Sequence, residues 1–197
     1  MITAVVLAAG KSERMGRPKM LLPFGRETLI ETVLAGVLRS RVDDVVVVLG
    51  AHRETIEPVV SKFALRTVFN SDFGAGMLSS VLRGLREVPA AAQAFLVVLG
   101  DQPFPPATVI DRLIAARERT GKGIVLPVHQ GRRGHPVLID MRFRDEVTAL
   151  NPSVGLRQLL RDHPDDVLEV PVRTPAVLMD VDRPDDYRKA LASKRRR

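Results

Sequence analysis

Cysteine is absent from this chain of 197 residues. Its absence excludes disulfide bonds, thiolate metal sites, iron–sulfur clusters and cysteine nucleophiles. Tryptophan is also absent, there is one tyrosine, and aromatic residues make up 4% of the sequence. Side chains that stack on nucleic-acid bases are therefore scarce, and a nucleic-acid partner is disfavoured.

Long apolar runs are missing as well. No run approaches the roughly 18 residues that a membrane-spanning helix needs. The apolar stretch Val5–Ala9 is too short for the hydrophobic region of a signal peptide, and no basic segment precedes it. Together with the lack of cysteine, these observations lead us to expect a cytoplasmic protein without a membrane partner.

Positive charge is present in modest excess. The formal net charge is +7, and the last four residues, Lys194 to Arg197, carry four of these charges. We expect a solvated basic tail over residues 191–197, although binding to a polyanion or to a small phosphorylated ligand stays open. Hydrophobic residues make up 45% of the chain, and no linker or internal repeat divides it. Residues 1–190 are therefore expected to form a single domain.

Short apolar runs rich in β-branched residues predict strands. Several of these runs are apolar throughout rather than alternating, which is typical of strands buried on both faces of a parallel sheet. The predicted strands are Thr3–Ala8, Val45–Leu49, Arg66–Phe69, Phe95–Leu99, Ile124–Val128, Pro136–Ile139, Val167–Val172 and Ala176–Val181.

Segments with helical periodicity lie between these runs. Thr28 and Glu31 have the spacing of a capping box at the start of the first helix. Because strands and helices alternate, the expected fold class is α/β with a largely parallel sheet. The predicted helices are Thr28–Arg39, Arg53–Lys62, Met77–Arg86, Pro106–Arg119, Phe143–Leu150, Gly155–Arg161 and Pro184–Lys194.

Ligands of such folds bind beyond the carboxyl ends of the strands, so the loops that follow strands are candidate binding sites. The first, "LAAGKSERMGRPK", has four cations against one acid, and its small residues allow a flat ligand to approach the backbone closely. Its spacing matches neither a P-loop nor G-x-G-x-x-G. A surface turn with solvated cations is an equal alternative at this point.

Two later loops place carboxylates at the same predicted edge. Asp101 follows a buried strand and has oxygen atoms suited to Mg²⁺, although a Gly-Asp turn would also explain it. Asp180 and Asp182 follow another predicted strand, and Asp182 could equally start the helix at Pro184. A fourth segment, "NSDFGAGMLSS" (residues 70–80), has backbone N–H groups and hydroxyls that could bind a base edge or cap a helix locally.

Five motifs occur in a fixed order along the chain: "LAAGKSERMGRPKMLLPFG", "FGAGMLSS", "GDQP", "RRGHPV" and "DVDRPDDY". In this order they resemble the molybdenum cofactor cytidylyltransferase family of MobA-like nucleotidyltransferases, with the related guanylyltransferases next. The resemblance spans about residues 5–190. It implies a Rossmann-like, three-layer nucleotidyltransferase domain with a mostly parallel sheet.

The resemblance also implies roles for individual residues. Lys19, Asp101 and Arg14 would be catalytic, and Mg²⁺ would be held by Asp101 and by Asp182, which we prefer to Asp180. The second substrate would contact Gln102, Arg133 and His135, although Arg133 could also belong to an exposed turn. Nucleotide binding is assigned to Leu7, Ala8, Ala9, Gly10, Lys11, Ser12, Arg14, Met15, Gly16, Lys19, Asn70, Gly76, Met77, Ser80 and Asp101.

The implied reaction is Mg²⁺-dependent transfer of CMP from CTP to a molybdopterin-type cofactor, with release of pyrophosphate. The cytidylyl branch tends to have Ala where the guanylyl branch has Gly, and this chain has Ala9. A methyl group at this point favours a pyrimidine by only ~1–3 kcal/mol. Guanylyl transfer, transfer to a sugar phosphate, and a polyanion-binding module remain alternatives, and a molybdoenzyme or its chaperone is a candidate partner.

Overall fold

The computed structural model describes residues 1–103 and 106–194. Among these residues its main feature is one mixed sheet, whose seven longer strands are β1 (Ile2–Ala8), β2 (Asp44–Leu49), β3 (Arg66–Phe69), β4 (Ala94–Leu99), β5 (Ile124–His129), β6 (Val137–Asp140) and β7 (Val167–Pro171). They lie in the order β7-β5-β6-β4-β1-β2-β3, and the two-residue strand Arg132–Arg133 pairs with the carboxyl end of β5.

In the described parts of the chain, seven α-helices connect or follow these strands. The capping box predicted from the sequence is present, since the Thr28 hydroxyl accepts from the Glu31 N–H and the Glu31 carboxylate accepts from the Thr28 N–H. The helices are α1 (Leu29–Leu38), α2 (Arg53–Val60), α3 (Met77–Leu85), α4 (Ala107–Thr120), α5 (Arg144–Ala149), α6 (Leu156–Asp162) and α7 (Pro184–Lys194).

The sheet is covered on both faces, as the continuous apolar runs predicted. All seven residues of β1 are buried. Because side chains alternate along a strand, Ala4 and Val6 pack on one side of the sheet with α1, α2 and α4, whereas Val5 and Leu7 pack on the other side with α3, α5 and α6. The three-layer α/β architecture is therefore confirmed.

The parallel core contains one reversal. Strands β1, β2, β3 and β4 pair in parallel, and β5 pairs in parallel with β7. Strand β6 lies between β4 and β5 and is antiparallel to both. The sheet is thus mostly parallel, and the reversed strand brings the segment before Val137 back towards the edge at which β4 and β5 end.

The prediction of a strand over Ala176–Val181 is wrong. Residues Pro175–Leu178 form a 3-10 turn, which the Thr174 hydroxyl caps by accepting from the Ala176 N–H. Proline has no N–H to donate to a sheet ladder, so the apolar side chains of this segment pack in the core without strand pairing. The Val177 carbonyl instead accepts from the His135 N–H at 3.0 Å.

The end of the chain is anchored as far as the structure describes it. Lys194 belongs to α7, and its Nζ donates to the Phe24 carbonyl at 2.6 Å and lies 4.5 Å from the centre of the Phe24 ring. Residues 195–197 of the predicted basic tail lie outside the described residues, so the division at residue 190 stays a prediction. No helix within the described ranges combines the length and the apolar character needed to cross a membrane.

Candidate active site

Backbone hydrogen bonds join the loops at the carboxyl ends of the parallel strands. The Gly100 N–H, after β4, donates to the Leu7 carbonyl of β1 at 3.0 Å, and the Ala51 N–H, after β2, donates to the Ala9 carbonyl at 3.2 Å. The closing segment joins them because the Val181 N–H donates to the Asp101 carbonyl at 3.0 Å. Three sequence-distant loops are thereby held against the opening loop.

The centre of this edge is a buried lysine between two carboxylates. Lys19 is only 7% exposed, and its Nζ lies 2.5 Å from Asp101 Oδ2 and 2.5 Å from Asp182 Oδ1. Arg14 extends the cluster, with Nη1 3.2 Å from Asp182 Oδ2. The structure therefore brings Lys19, Arg14 and both predicted metal ligands into one ion-pair network on one side of the molecule.

The network determines the charge of its members. Burial works to lower the pKa of Lys19, but the two carboxylates outweigh it and raise that pKa above its usual value. The hydrogen bond from Lys19 lowers the pKa of Asp182. Burial raises the pKa of Asp101 against the pull of Lys19, and the charges of Asp182 and Asp180 add to the rise. Lys19 consequently stays an ammonium at neutral pH.

The opening loop is folded so that it presents backbone to the site. Ser12 has a left-handed φ of 56°, and its hydroxyl accepts from the Lys19 N–H at 3.2 Å, which closes the loop. A Cβ built on Gly10 would meet no atom within 4 Å, so space is open above it. A Cβ on Gly50 would lie 2.4 Å from the Ala9 carbonyl oxygen, so only glycine allows this approach.

A cavity of about 370 Å³ lies beside the network. Its lining includes nine of the predicted site residues: Leu7, Ala9, Gly10, Lys19, Gly76, Met77, Ser80, Asp101 and Asp182. An adjoining cavity of about 360 Å³ adds Lys11, Ser12 and Arg14. Most of the predicted nucleotide-binding residues therefore line two adjacent cavities, which share Gly10, Lys19, Phe73, Gly76 and Asp182.

Some predicted nucleotide-binding residues do not line these cavities. Met15 and Ala8 are buried in apolar clusters, and Gly16 is exposed with φ 68°, where it ends the short turn Glu13–Met15. Asn70 is buried, and its Nδ2 donates to the hydroxyls of Ser79 and Ser80, each at 3.0 Å. We infer that these side chains shape the loops rather than touch a ligand.

Phe73 and Asp180 belong to the cavity walls but not to the set of predicted site residues, in which Asp180 was only the alternative to Asp182 as a metal ligand. Phe73 lines both cavities. It lies in the quoted segment 70–80, but the prediction rested on the small residues around it. Asp180 also lines the larger cavity, so both closing-motif aspartates reach the site. Their i, i+2 spacing was the available signal, because alternate residues of an extended segment share a face.

The residues predicted for a second substrate are not together. Arg133 and His135 line a separate cavity of about 640 Å³. Burial lowers the pKa of His135 to about 4, and the charge of Asp180 opposes this shift. Gln102 is 6% exposed, and its Oε1 is buried without a hydrogen-bond partner in the described parts of the chain.

The carboxylates fit a hard divalent cation. Among the residues that the structure describes, no group of three or more His, Asp or Glu residues forms a ready-made metal site. Asp101 and Asp182 nevertheless each direct an oxygen at the same cation, the Lys19 ammonium. Mg²⁺ is commonly held by one or two carboxylates, with waters and substrate phosphates completing its shell, and this donor set has that composition.

A family profile described as the MobA-like NTP transferase domain matches residues 4–167. The chain belongs to the MobA-like NTP transferase family. It is therefore a nucleotidyltransferase by family, as the order of its five motifs indicated.

Relatives of this MobA-like transferase are named for different activities. "Nicotine blue oxidoreductase" of Paenarthrobacter nicotinovorans is 36% identical over 83% of each chain. The molybdenum cofactor cytidylyltransferase of Escherichia coli is 27% identical over 94% of this chain and 93% of its own. A molybdenum cofactor guanylyltransferase of Mesorhizobium japonicum is 33% identical over 68% of this chain and 64% of its own.

Solved structures of similar chains support the same fold. The Rv0371c homologue of Mycobacterium sp. strain JC1 is 32% identical, with a TM-score of 0.88 over 99% of this chain and 97% of its own. Rv0371c of Mycobacterium tuberculosis, solved as a complex with manganese, is 28% identical, with a TM-score of 0.83 over 98% of each chain. A divalent metal is thus present in one structure that the MobA-like transferase resembles.

Proposed function

We propose that this protein transfers CMP from CTP to the phosphate of a molybdopterin-type cofactor in a Mg²⁺-dependent reaction. The observation that carries the proposal is the buried Lys19, held between Asp101 and Asp182 beside Arg14, at a cavity whose wall includes Ala9 and Gly10. Cations and carboxylates in this arrangement suit a triphosphate that arrives with a divalent metal.

The chemistry requires little of the protein besides positioning. An oxygen of the cofactor's phosphate attacks the α-phosphorus of CTP, the bond from that phosphorus to the bridging oxygen breaks, and pyrophosphate leaves with the bond's electron pair. The attacking oxygen is already anionic at neutral pH, so no general base is needed. Catalysis then comes from orientation and from charge placed where the transition state needs it.

Each charged side chain has a specific part in this reaction. Lys19 neutralises negative charge on the nucleotidyl phosphate being transferred and on the leaving pyrophosphate. It can do so because Asp101 and Asp182 hold its ammonium in place and keep it protonated. The Arg14 side chain is about two-thirds exposed and anchors the terminal phosphates of the nucleotide in the adjoining cavity of about 360 Å³. Asp101 and Asp182 hold the metal, which when bound supplies further charge neutralisation at the phosphates.

Two features favour CTP over GTP. The first is Ala9, which lines the cavity and adds a methyl group where a glycine would leave more room. The cytidylyltransferase relative is also similar over more of this chain than the guanylyltransferase relative. The second candidate is guanylyl transfer to the same acceptor, which the latter relative's name supports.

The acceptor side of the proposal rests on Gln102, Arg133 and His135. Gln102 follows Asp101 directly, and its buried Oε1 has no hydrogen-bond partner among the residues that the structure describes, whereas Arg133 and His135 line the neighbouring cavity. We propose that the cofactor reaches from this cavity to the nucleotide, and that the product passes to a molybdoenzyme or its chaperone.

A direct test offers the protein a molybdopterin-type cofactor with each of the four NTPs and Mg²⁺, and identifies the products by mass. The proposal expects the cytosine dinucleotide and pyrophosphate from CTP, with at most weak product from the other three. A guanine dinucleotide as the main product would contradict the choice of CTP.

Assays with other substrates distinguish the alternative activities. Turnover of nicotine blue without pyrophosphate release would favour the activity named for the Paenarthrobacter relative. A product formed with sugar phosphate, but not with the cofactor, would move the acceptor to another class. Salt-sensitive binding to a polyanion with no product from any NTP would favour a binding module.

A further inference from the structure

The cavity of about 640 Å³ contains two arginines that the proposed reaction does not use. Arg157 and Arg161 of α6 line it together with Arg133 and His135. Apolar side chains of Leu126, Val137, Leu156 and Leu160 form the rest of its principal wall. The cavity therefore combines an apolar surface with a concentration of positive charge.

Most of the positive charge in this cavity has no acidic partner. Among the residues that the structure describes, no acidic residue lines the cavity, and of its three arginines Arg133 alone has an acidic partner, Glu169, at 2.7 Å. In the parts of the chain that the structure describes, neither Arg157 nor Arg161 forms an ion pair. The two are four residues apart, so they share one face of α6 and repel each other slightly. An anion lying between them would relieve this repulsion.

This arginine-lined cavity is adjacent to the cavity of about 370 Å³ beside Lys19, which is the proposed nucleotide cavity. His135 lies on its wall, and Asp180 lies on the wall of the nucleotide cavity. The two side chains are close enough for the charge of Asp180 to act on the pKa of His135. The His135 N–H also donates to the Val177 carbonyl, in the segment that leads to Asp180. One elongated ligand can therefore occupy both places.

We propose that Arg157 and Arg161 bind an anionic group on the non-reacting part of the acceptor, while the apolar wall covers its ring system. The ligand is an elongated acceptor with a phosphate at the reacting end, a flat ring system and a second negative charge besides that phosphate. This inference rests on the proposed function for the reacting phosphate. The binding of the second anionic group rests on the cavity itself.

The test compares two double variants that each remove two positive charges. Arg157→Gln with Arg161→Gln changes the cavity, and Arg39→Gln with Arg119→Gln changes two exposed arginines on α4 and at the end of α1. A charged hydrogen bond contributes roughly 1.5–3 kcal/mol. We therefore expect the cavity variant to raise the KM for the molybdopterin-type cofactor by about ten- to a hundredfold, with the KM for CTP and kcat within about twofold.

A rescue variant separates charge from packing. Arg157→Lys with Arg161→Lys keeps the charges and should retain most of the affinity that the glutamine pair loses. Thermal melting of all variants checks that each is folded. An unchanged KM for the cofactor in the glutamine pair, or an equal rise in the Arg39 and Arg119 control, would overturn the proposal.

Cofactor binding without turnover distinguishes this inference from the proposed function. The chain has no tryptophan, so fluorescence of the pterin ring reports its binding with little background. Binding to the wild type that is lost in the glutamine pair supports the subsite even if no CMP is transferred, in which case only the proposed function fails. Equal binding to both proteins overturns the subsite even if transfer is observed.

Discussion

The nucleotide cavity and the arginine-lined cavity are neighbours, but charged side chains are paired in the first and mostly unpaired in the second. In the nucleotide cavity the buried Lys19 contacts two carboxylates, and Arg14 contacts one of them. In the other cavity Arg157 and Arg161 are exposed and have no acidic neighbour on the wall. Burial explains the difference, because an unpaired charge is costly inside a protein and cheap in water.

Paired and unpaired charges would bind an anionic ligand in different ways. Paired charges are already oriented, so they can stabilise a transition state without reorganising. Unpaired surface arginines keep their charge available for binding, at the cost of ordering their side chains. We therefore expect changes in the nucleotide cavity to act mainly on kcat, and changes in the arginine-lined cavity to act mainly on KM.

The largest effect should come from Lys19→Met. It removes the cation that faces the reacting phosphates and leaves Asp101 and Asp182 facing each other. By analogy with the loss of one charge-stabilising donor, kcat should fall by about 10²–10³-fold or more, with a smaller change in the KM for the cofactor. Single-turnover kinetics measures this, and Lys189→Met on the exposed surface of α7 is the control. Unaltered single-turnover chemistry would remove Lys19 from the mechanism.

An intermediate effect should come from the aspartates. Asp101→Asn and Asp182→Asn should each lower Mg²⁺-dependent turnover by about 10–100-fold while the protein stays folded. Asp180→Asn should have a smaller effect, because Asp180 lines the cavity but makes no ion pair with Lys19. Titration of activity with Mg²⁺ and with Mn²⁺ checks this order. If Asp180→Asn lowered turnover the most of the three, the metal ligand would be Asp180 instead of Asp182.

The smallest effect concerns His135, which lies on the wall of the arginine-lined cavity. Its folded-state pKa of about 4 lies below the ordinary 6.5, so the unfolded chain binds a proton that the folded chain does not. Stability should therefore be lost as pH falls from about 6.5 to 4, by about 1–3 kcal/mol. Urea unfolding at several pH values should show a shallower decline for His135→Gln. The same decline in wild type and variant would contradict this account, and His129→Gln is the matched control.

Most of the secondary structure follows from local patterns. The observed strand Arg66–Phe69 and helix Pro184–Lys194 have the predicted bounds, and the other strands among β1–β7 and helices among α1–α6 differ by one or two residues at one or both ends. The two-residue strand Arg132–Arg133 was not predicted. The segment Ala176–Val181 has the apolar character of a strand, but Pro175 and the pairing of Val177 with His135 hold it in another conformation. Its apolar side chains predicted burial correctly and strand pairing wrongly.

The sequence by itself determined the layers of the fold, the sheet edge at which the candidate site lies and the residues of the opening loop, because strand burial, helix periodicity and loop composition depend on near neighbours in the chain. Only the tertiary structure decided that Lys19 lies between acids 82 and 163 residues away, that Met15 points into the core and that the α6 arginines face His135's cavity. These contacts depend on how the whole chain crosses the sheet, including the reversed strand β6. No local pattern contains that information.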